Sequence, residues 1–234
     1  MFKKISFIIL FSGNLVFAQN QNEFWSRITV TKKINSHWVL GMDAQHRRQA
    51  DYFRYEKNIF HYALTNSIRL WAFYKLKNKW TIVASPIGYF HNVTLNREAG
   101  ILIHSNELRS MIGTSKSFNI GGINNYNRLL YEADLLGCES PEISIRNRYR
   151  LFNNFIFPLK QINQTHSVNY NLYNEIFLKT EKHISSFDQN HFYNGIQWKG
   201  KNCDANIGYQ YTYQKTSNKY LKKNQVLFFM NFAI

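Results

Sequence analysis

Residues 143–152 read ISIRNRYRLF. Arg146, Arg148 and Arg150 stand at every second position, and Ile143, Ile145, Tyr149 and Leu151 lie between and around them. Successive side chains of a strand point to opposite faces, so a strand gathers three guanidiniums on one side and keeps the other side apolar. A helix would scatter the same residues around its surface.

The period of two is not local. In FWSRITVTKK, Phe24, Ile28 and Val30 alternate with Arg27, Thr29 and Thr31. In HWVLGMDAQHR, Trp38, Leu40, Met42 and Ala44 alternate with Gly41, Asp43, Gln45 and Arg47. NIFHYALTNSIRLW, SVNYNLYNEIFL and NIGYQYTYQ repeat the pattern, and QVLFFMNFAI offers Val226, Phe228, Met230, Phe232 and Ile234 as one face. Eleven segments of this kind fall at 23–33, 37–48, 57–75, 79–92, 103–116, 119–135, 142–157, 163–180, 187–199, 203–214 and 223–234. Nothing between them has a 3.6-residue period, so very little helix is expected. Short turns are expected near Asn35, Lys77, Ser117, Lys160 and Lys201. Longer connections are expected at 49–56, 93–102, 136–141, 181–186 and 215–222. The pattern is an up-and-down meander with turns at one end and loops at the other.

A soluble sandwich also alternates, but its polar face tolerates Lys and Glu freely. Here the polar faces hold Arg, Asn, Gln, Ser, Thr and Tyr, while Lys gathers in the turns. The segments exceed the ~5–6 residues usual for soluble strands. Aromatic residues make up 17% of the chain, with 15 Tyr and 19 Phe. The N-terminus, MFKKISFIILFSGNLVFAQNQ, joins Lys3 and Lys4 to a short apolar run and a small-residue cleavage site. That reads as a secretory leader over residues 1–18, too short for a membrane helix, followed by one domain over 19–234. Together these features predict an all-β, closed, antiparallel, up-and-down transmembrane barrel in the bacterial outer membrane. It would be monomeric and embedded in outer-membrane lipid. Single-chain bacterial barrels have even strand numbers, so about twelve strands are expected, with a break near Asn66 hiding one and ten as the alternative.

Parity sends Arg146, Arg148 and Arg150 into the lumen. It does the same for Glu107 and Arg109, for Arg128, Glu132 and Asp134, and for Glu175. Neighbouring strands lie ~4.8 Å apart, so these groups can pair across the wall. The mixed signs favour a structural arginine–carboxylate ladder. The alternative is a narrow, anion-preferring pore for small solutes.

NELR at 106–109, NRLLYE at 127–132 and RNRYR at 146–150 resemble the arginine- and glutamate-rich strands of an uncharacterised family of secreted β-barrels, domain of unknown function 2490. YNEIFLKTEKHISSFDQNHFYNGIQW followed by ANIGYQY resembles that family's C-terminal half. The resemblance covers nearly all of the mature chain and implies a barrel without assigned chemistry. Two features depart from it. His191 stands where the family tends to have arginine, and the chain ends in Ile234 where barrels often end in an aromatic residue recognised by the barrel-assembly machinery. Phe232 stands in for that residue.

A barrel-embedded hydrolase is a second alternative, and Glu175 with His191 is its best acid–base pair. His166–Ser167, His61 with Ser67, and His104–Ser105 carry no recognisable signature, so no enzyme is expected. No catalytic residue, cofactor or metal ligand set is expected either. The net charge is +15, or +13 without Lys3 and Lys4, but the lysines lie in turns and interleave with no nucleic-acid-binding motif. Nucleic acid is not an expected partner. Lys75, Lys77, Lys79, Lys160, Lys199 and Lys201 read as a solvated rim at the short-turn end. Cys138 and Cys203 fall on connections at opposite ends of the wall and are expected to be unbonded.

Overall fold

The alternation is built into strands of 12 to 19 residues. The computed structural model describes residues 20–51, 57–95, 101–137, 144–181, 184–216 and 220–234. The expected leader at 1–18 and Cys138 lie outside these residues. The strands are β1 (Asn20–Lys33), β2 (Trp38–Gln49), β3 (Tyr62–Lys75), β4 (Trp80–Leu95), β5 (Leu102–Ile120), β6 (Ile123–Leu136), β7 (Ser144–Gln161), β8 (Ser167–Glu181), β9 (Ile184–Lys199), β10 (Cys203–Lys215) and β11 (Tyr220–Ala233). One 3-10 turn, Lys77–Lys79, lies between β3 and β4.

Each strand pairs with its neighbours in sequence, and β1 pairs with β11 to close a barrel. All sequential pairs are antiparallel, whereas the closing pair is parallel, with Phe24 beside Val226 and Ile28 beside Met230. An odd number of up-and-down strands leaves the first and last running the same way, so an antiparallel closure is unavailable. Among the described residues the strand count is eleven, as the alternation itself indicates and between the ten and twelve derived from the even-number rule. β3 passes unbroken through Asn66, so no extra strand hides there.

Several connections differ from expectation: β3 begins at Tyr62 and not near residue 57, and β7 runs through Lys160 to Gln161 before its turn. β5 continues past Ser117 to Ile120 and turns at Gly121 and Gly122, whose φ angles are 57° and 87°. Two consecutive positive φ values define the two-residue hairpin turn that twisted strands favour, and glycine adopts them at little cost. Asn119 Oδ1 accepts from the Gly122 N–H at 2.9 Å and braces the turn. Between β8 and β9 only residues 182–183 intervene, so that loop is shorter than expected. Pro86 and Pro158 fall at register shifts in the β4–β5 and β7–β8 ladders, where a missing N–H does least harm.

The barrel's core is its interior. Along β7, Arg148 is 5% exposed while Ile145 is 67% exposed on the other face. Ile28, Met42, Leu70, Ile112, Leu151 and Ile207 repeat that outward exposure around the wall. Apolar side chains also point inward. Trp71, Val83, Met111 and Leu130 form one buried cluster inside β3–β6. Tyr193, Leu227 and Phe229 form another, packed against Trp25 and Tyr173. Gly195 and Gly208 pair beneath the second cluster, and a Cβ on Gly208 would stand 2.6 Å from the Tyr193 ring. Their missing side chains let Tyr193 lie flat against the wall.

Candidate functional site

The register of β5, β6, β7 and β8 sets charged residues side by side. Glu132 lies opposite Arg148, and Asp134 lies opposite both Arg146 on β7 and Arg109 on β5. Arg146 donates from Nε and Nη2 to Asp134 Oδ2 at 2.9 and 2.7 Å. Arg148 donates from Nε to Glu132 Oε1 at 2.7 Å, and its Nη2 also contacts Glu132 and approaches Asp134 at 3.1 Å. A third contact reaches Asp188 on β9 at 3.4 Å. Arg150 links two carboxylates, with Nη1 on Glu132 Oε2 at 2.8 Å and Nη2 on Glu175 Oε1 at 2.9 Å. Arg128 Nη2 reaches the same Glu175 oxygen at 3.3 Å. Arg109 donates from Nε to Glu107 Oε2 at 3.0 Å. All nine residues singled out from parity therefore meet in the interior as one connected set of ion pairs.

The electrostatic reason is the low dielectric of a closed wall. A buried carboxylate is costly to desolvate unless charge-assisted hydrogen bonds saturate it. Glu132 is 0% exposed and receives two guanidiniums, as does the buried Glu175. Rings cover the outer surfaces of the cations: Arg109 stands 3.8 Å over Phe90, and Arg150 stands 4.7 Å over Phe177.

Two further groups complete the interior and were not singled out from sequence. Asp43 accepts from Arg69 Nε and Nη2 at 2.9 Å each and from Trp71 Nε1 at 2.6 Å. Glu23 accepts from Arg47 Nη2 and from Gln225 Nε2, both at 2.6 Å, and pairs with Lys223 at 3.1 Å. The chain continues through Gln225 to Gln210, which accepts from the Tyr173 hydroxyl at 2.6 Å. Parity alone puts Asp43, Arg69 and Glu23 on polar faces. Asp43 meets Arg69 across the sequential β2–β3 pair, whereas Gln225 and Lys223 reach Glu23 only because β1 lies beside β11.

The lumen holds at least two cavities. A cavity of about 290 Å³ lies toward the loop end, and its lining carries Arg47, Arg109, Arg146, Arg148 and Lys223 against the carboxylate of Glu107. A cavity of about 270 Å³ lies toward the turn end, lined by Arg27, Arg128, Phe152, Tyr173, Tyr193 and Phe229 among others. Trp25, Arg69 and Arg150 line both, so the two cavities adjoin at these side chains. Met111 packs beside them, its sulfur 3.5 Å from Arg150 Nη1.

Glu175 and His191 are register partners on β8 and β9. Glu175 is directed at Arg128 and Arg150, and His191 packs on the Phe177 ring at 4.8 Å. His104 bonds the ring of His91 at 3.1 Å, and His166 caps the β7–β8 turn through Asn163. Among the described residues no group of three or more His, Cys, Asp or Glu is placed to hold a metal ion.

No curated protein and no solved structure is detectably similar to this chain. Residues 22–223 match the family model described as protein of unknown function (DUF2490), and the chain belongs to that family.

Proposed function

We propose that the protein is an outer-membrane barrel whose lumen is closed at the waist by its arginine–carboxylate network, a structural partition and not an open conduit. The observation that carries this reading is that Trp25, Arg69 and Arg150 line both cavities. A solute crossing the barrel must displace these side chains, and Arg69 and Arg150 are each tied to buried carboxylates.

Membrane placement is supported by the outer surface. Exposed Trp38, Trp80 and Trp198 stand near the turn end, and exposed Tyr89, Tyr131 and Tyr149 stand toward the loop end. Aliphatic residues fill the belt between them. Aromatic girdles around an apolar band about 25 Å tall are the mark of lipid-facing barrels. β2, the shortest strand at 12 residues, rises about 28 Å at a tilt of about 45°.

An anion-preferring pore is the second reading, favoured by the excess of guanidiniums around the loop-side cavity. Planar-bilayer recording separates the two. A closed waist gives no conductance for the wild type or for Arg148→Ala, and the substitution lowers thermal stability. A pore conducts, prefers anions, and loses that preference in Arg148→Ala. Such a result would overturn the closed reading.

A further inference from the structure

Six of the twelve buried side-chain polar atoms that lack a hydrogen-bond partner among the described residues belong to the lining of the turn-side cavity. Here Trp25 Nε1, Arg27 Nε, Arg128 Nε, Asn154 Oδ1, Asn171 Oδ1 and the Tyr193 hydroxyl are buried without a hydrogen-bond partner on the protein, and all six residues line this one cavity. Buried polar atoms are normally paired, and a concentration of exceptions around a cavity marks groups kept for a ligand.

The charges identify what kind of ligand. Arg69 is neutralised by the bidentate contact with Asp43. Arg150 and Arg128 share Glu175, and Arg150 also holds Glu132. Arg27 is the cation left over. Among the described residues no acid bonds it, and it rests 4.2 Å over the Phe229 ring. One unpaired guanidinium calls for one anionic oxygen pair, and a planar fork matches a carboxylate.

The rest of the wall describes the body attached to that carboxylate. Tyr173 and Tyr193 stack at 4.5 Å, and Phe152 lies 5.0 Å from Tyr173. These rings offer flat faces to an apolar ring surface. Asn154 Oδ1 and Asn171 Oδ1 are acceptors awaiting donors, which hydroxyl groups supply. The volume of about 270 Å³ is below the range usual for drug-sized ligands and admits a single substituted ring.

We propose that the turn-side cavity binds a small hydroxylated monocarboxylate, a sugar acid of hexuronate size. The proposal rests on the closed waist but not on membrane placement, and its test is independent of conductance. The barrel is titrated calorimetrically in detergent with glucuronate, glucose, acetate and inorganic phosphate in turn.

Glucuronate is expected to bind saturably. Glucose lacks the charge and acetate lacks the hydroxylated ring, so each is expected to bind about tenfold more weakly or worse, the loss set by one charge-assisted hydrogen bond. Arg27→Gln and Asn171→Leu are each expected to weaken glucuronate binding by about tenfold or more. Arg27→Gln should also melt no lower than the wild type, because it removes a half-buried cation that no acid bonds among the described residues. That stability result separates a ligand group from a structural one.

Several results overturn the proposal. They are the absence of saturable heat up to about 10 mM glucuronate, unchanged binding in both variants, a lowered melting temperature for Arg27→Gln, or acetate or phosphate binding as tightly as glucuronate. The last would mark a plain anion site.

Discussion

Gln225 donates from Nε2 to Glu23 Oε2 at 2.6 Å, joining residues 202 positions apart across the parallel pair that closes the barrel. The two are direct register partners, and both are 0% exposed. Arg47 from β2 and Lys223 from β11 converge on the same carboxylate. Closing a sheet between its first and last strands gains nothing from chain proximity, so the seam needs side-chain contacts that recognise one register.

Glu23→Ala leaves the half-buried Arg47 and Lys223 without their acid and the buried Gln225 without its acceptor. Loss of one partner in a buried ionic group costs about 3–5 kcal/mol. Denaturant unfolding in detergent should show a loss of this size, and Glu23→Gln should lose less because Gln225 keeps an acceptor.

Arg148 contacts Glu132, Asp134 and Asp188. Arg148→Ala alone should destabilise the barrel by about 3–5 kcal/mol. Combining Arg148→Met with Glu132→Leu replaces charge by apolar volume on both sides of the pair. The double variant should recover much of the loss, and a double-mutant cycle should show coupling of about 1–3 kcal/mol. Strict additivity of the two single changes would argue against a direct pair.

The β5–β6 hairpin depends on two glycines at positive φ. Gly121→Val should cost about 1–2 kcal/mol, because a branched side chain is strained there. Gly121→Asn should cost a few tenths of that, since Asn-Gly is the preferred pair for this turn. Equal losses for both substitutions would mean the turn has another geometry.

Parallel closure also has a consequence for the ends. Asn20 and Tyr220 begin their strands at the loop end, and Lys33 and Ala233 finish theirs at the turn end. In a membrane the first and last strand residues, Asn20 and Ala233, therefore face opposite compartments. Single cysteines at these two positions should be labelled by an impermeant maleimide from opposite sides, one in intact cells and the other only after the outer membrane is opened. Labelling of both in intact cells would contradict an odd strand number.

Parity was readable because it is local. Arg146, Arg148 and Arg150 need only their own neighbours to be assigned one face, and the same holds for Glu132, Asp134 and Glu175. The closure was not readable in that way. Whether Glu23 meets Gln225 depends on strand count and direction over the whole chain, and no short stretch carries that information. Leu227 and Phe229 were missed as interior residues for a different reason. In β11 both faces are apolar, so alternation does not say which one points inward. The turn at Gly121–Gly122 had a local signal, the glycine pair. It was outweighed by the polar residues around Ser117, which sit on a strand that simply continues. Arg27 was visible as a polar-face residue, but its lack of an acid appears only after every neighbouring carboxylate has chosen another arginine.

The parallel closure of β1 on β11 turns the sheet into an enclosed interior, and cysteine pairing tests it most directly. In a background with Cys138 and Cys203 replaced by serine, Phe24→Cys with Val226→Cys and Ile28→Cys with Met230→Cys place thiols on register partners. Adjacent strands lie ~4.8 Å apart, within the Cα separation that a disulfide spans. Mild oxidation of the folded barrel should link both pairs, and Phe24→Cys with Phe232→Cys should stay reduced. Linkage of Phe24→Cys to Phe232→Cys, with the first two pairs unlinked, would show an antiparallel seam and contradict the eleven-stranded barrel.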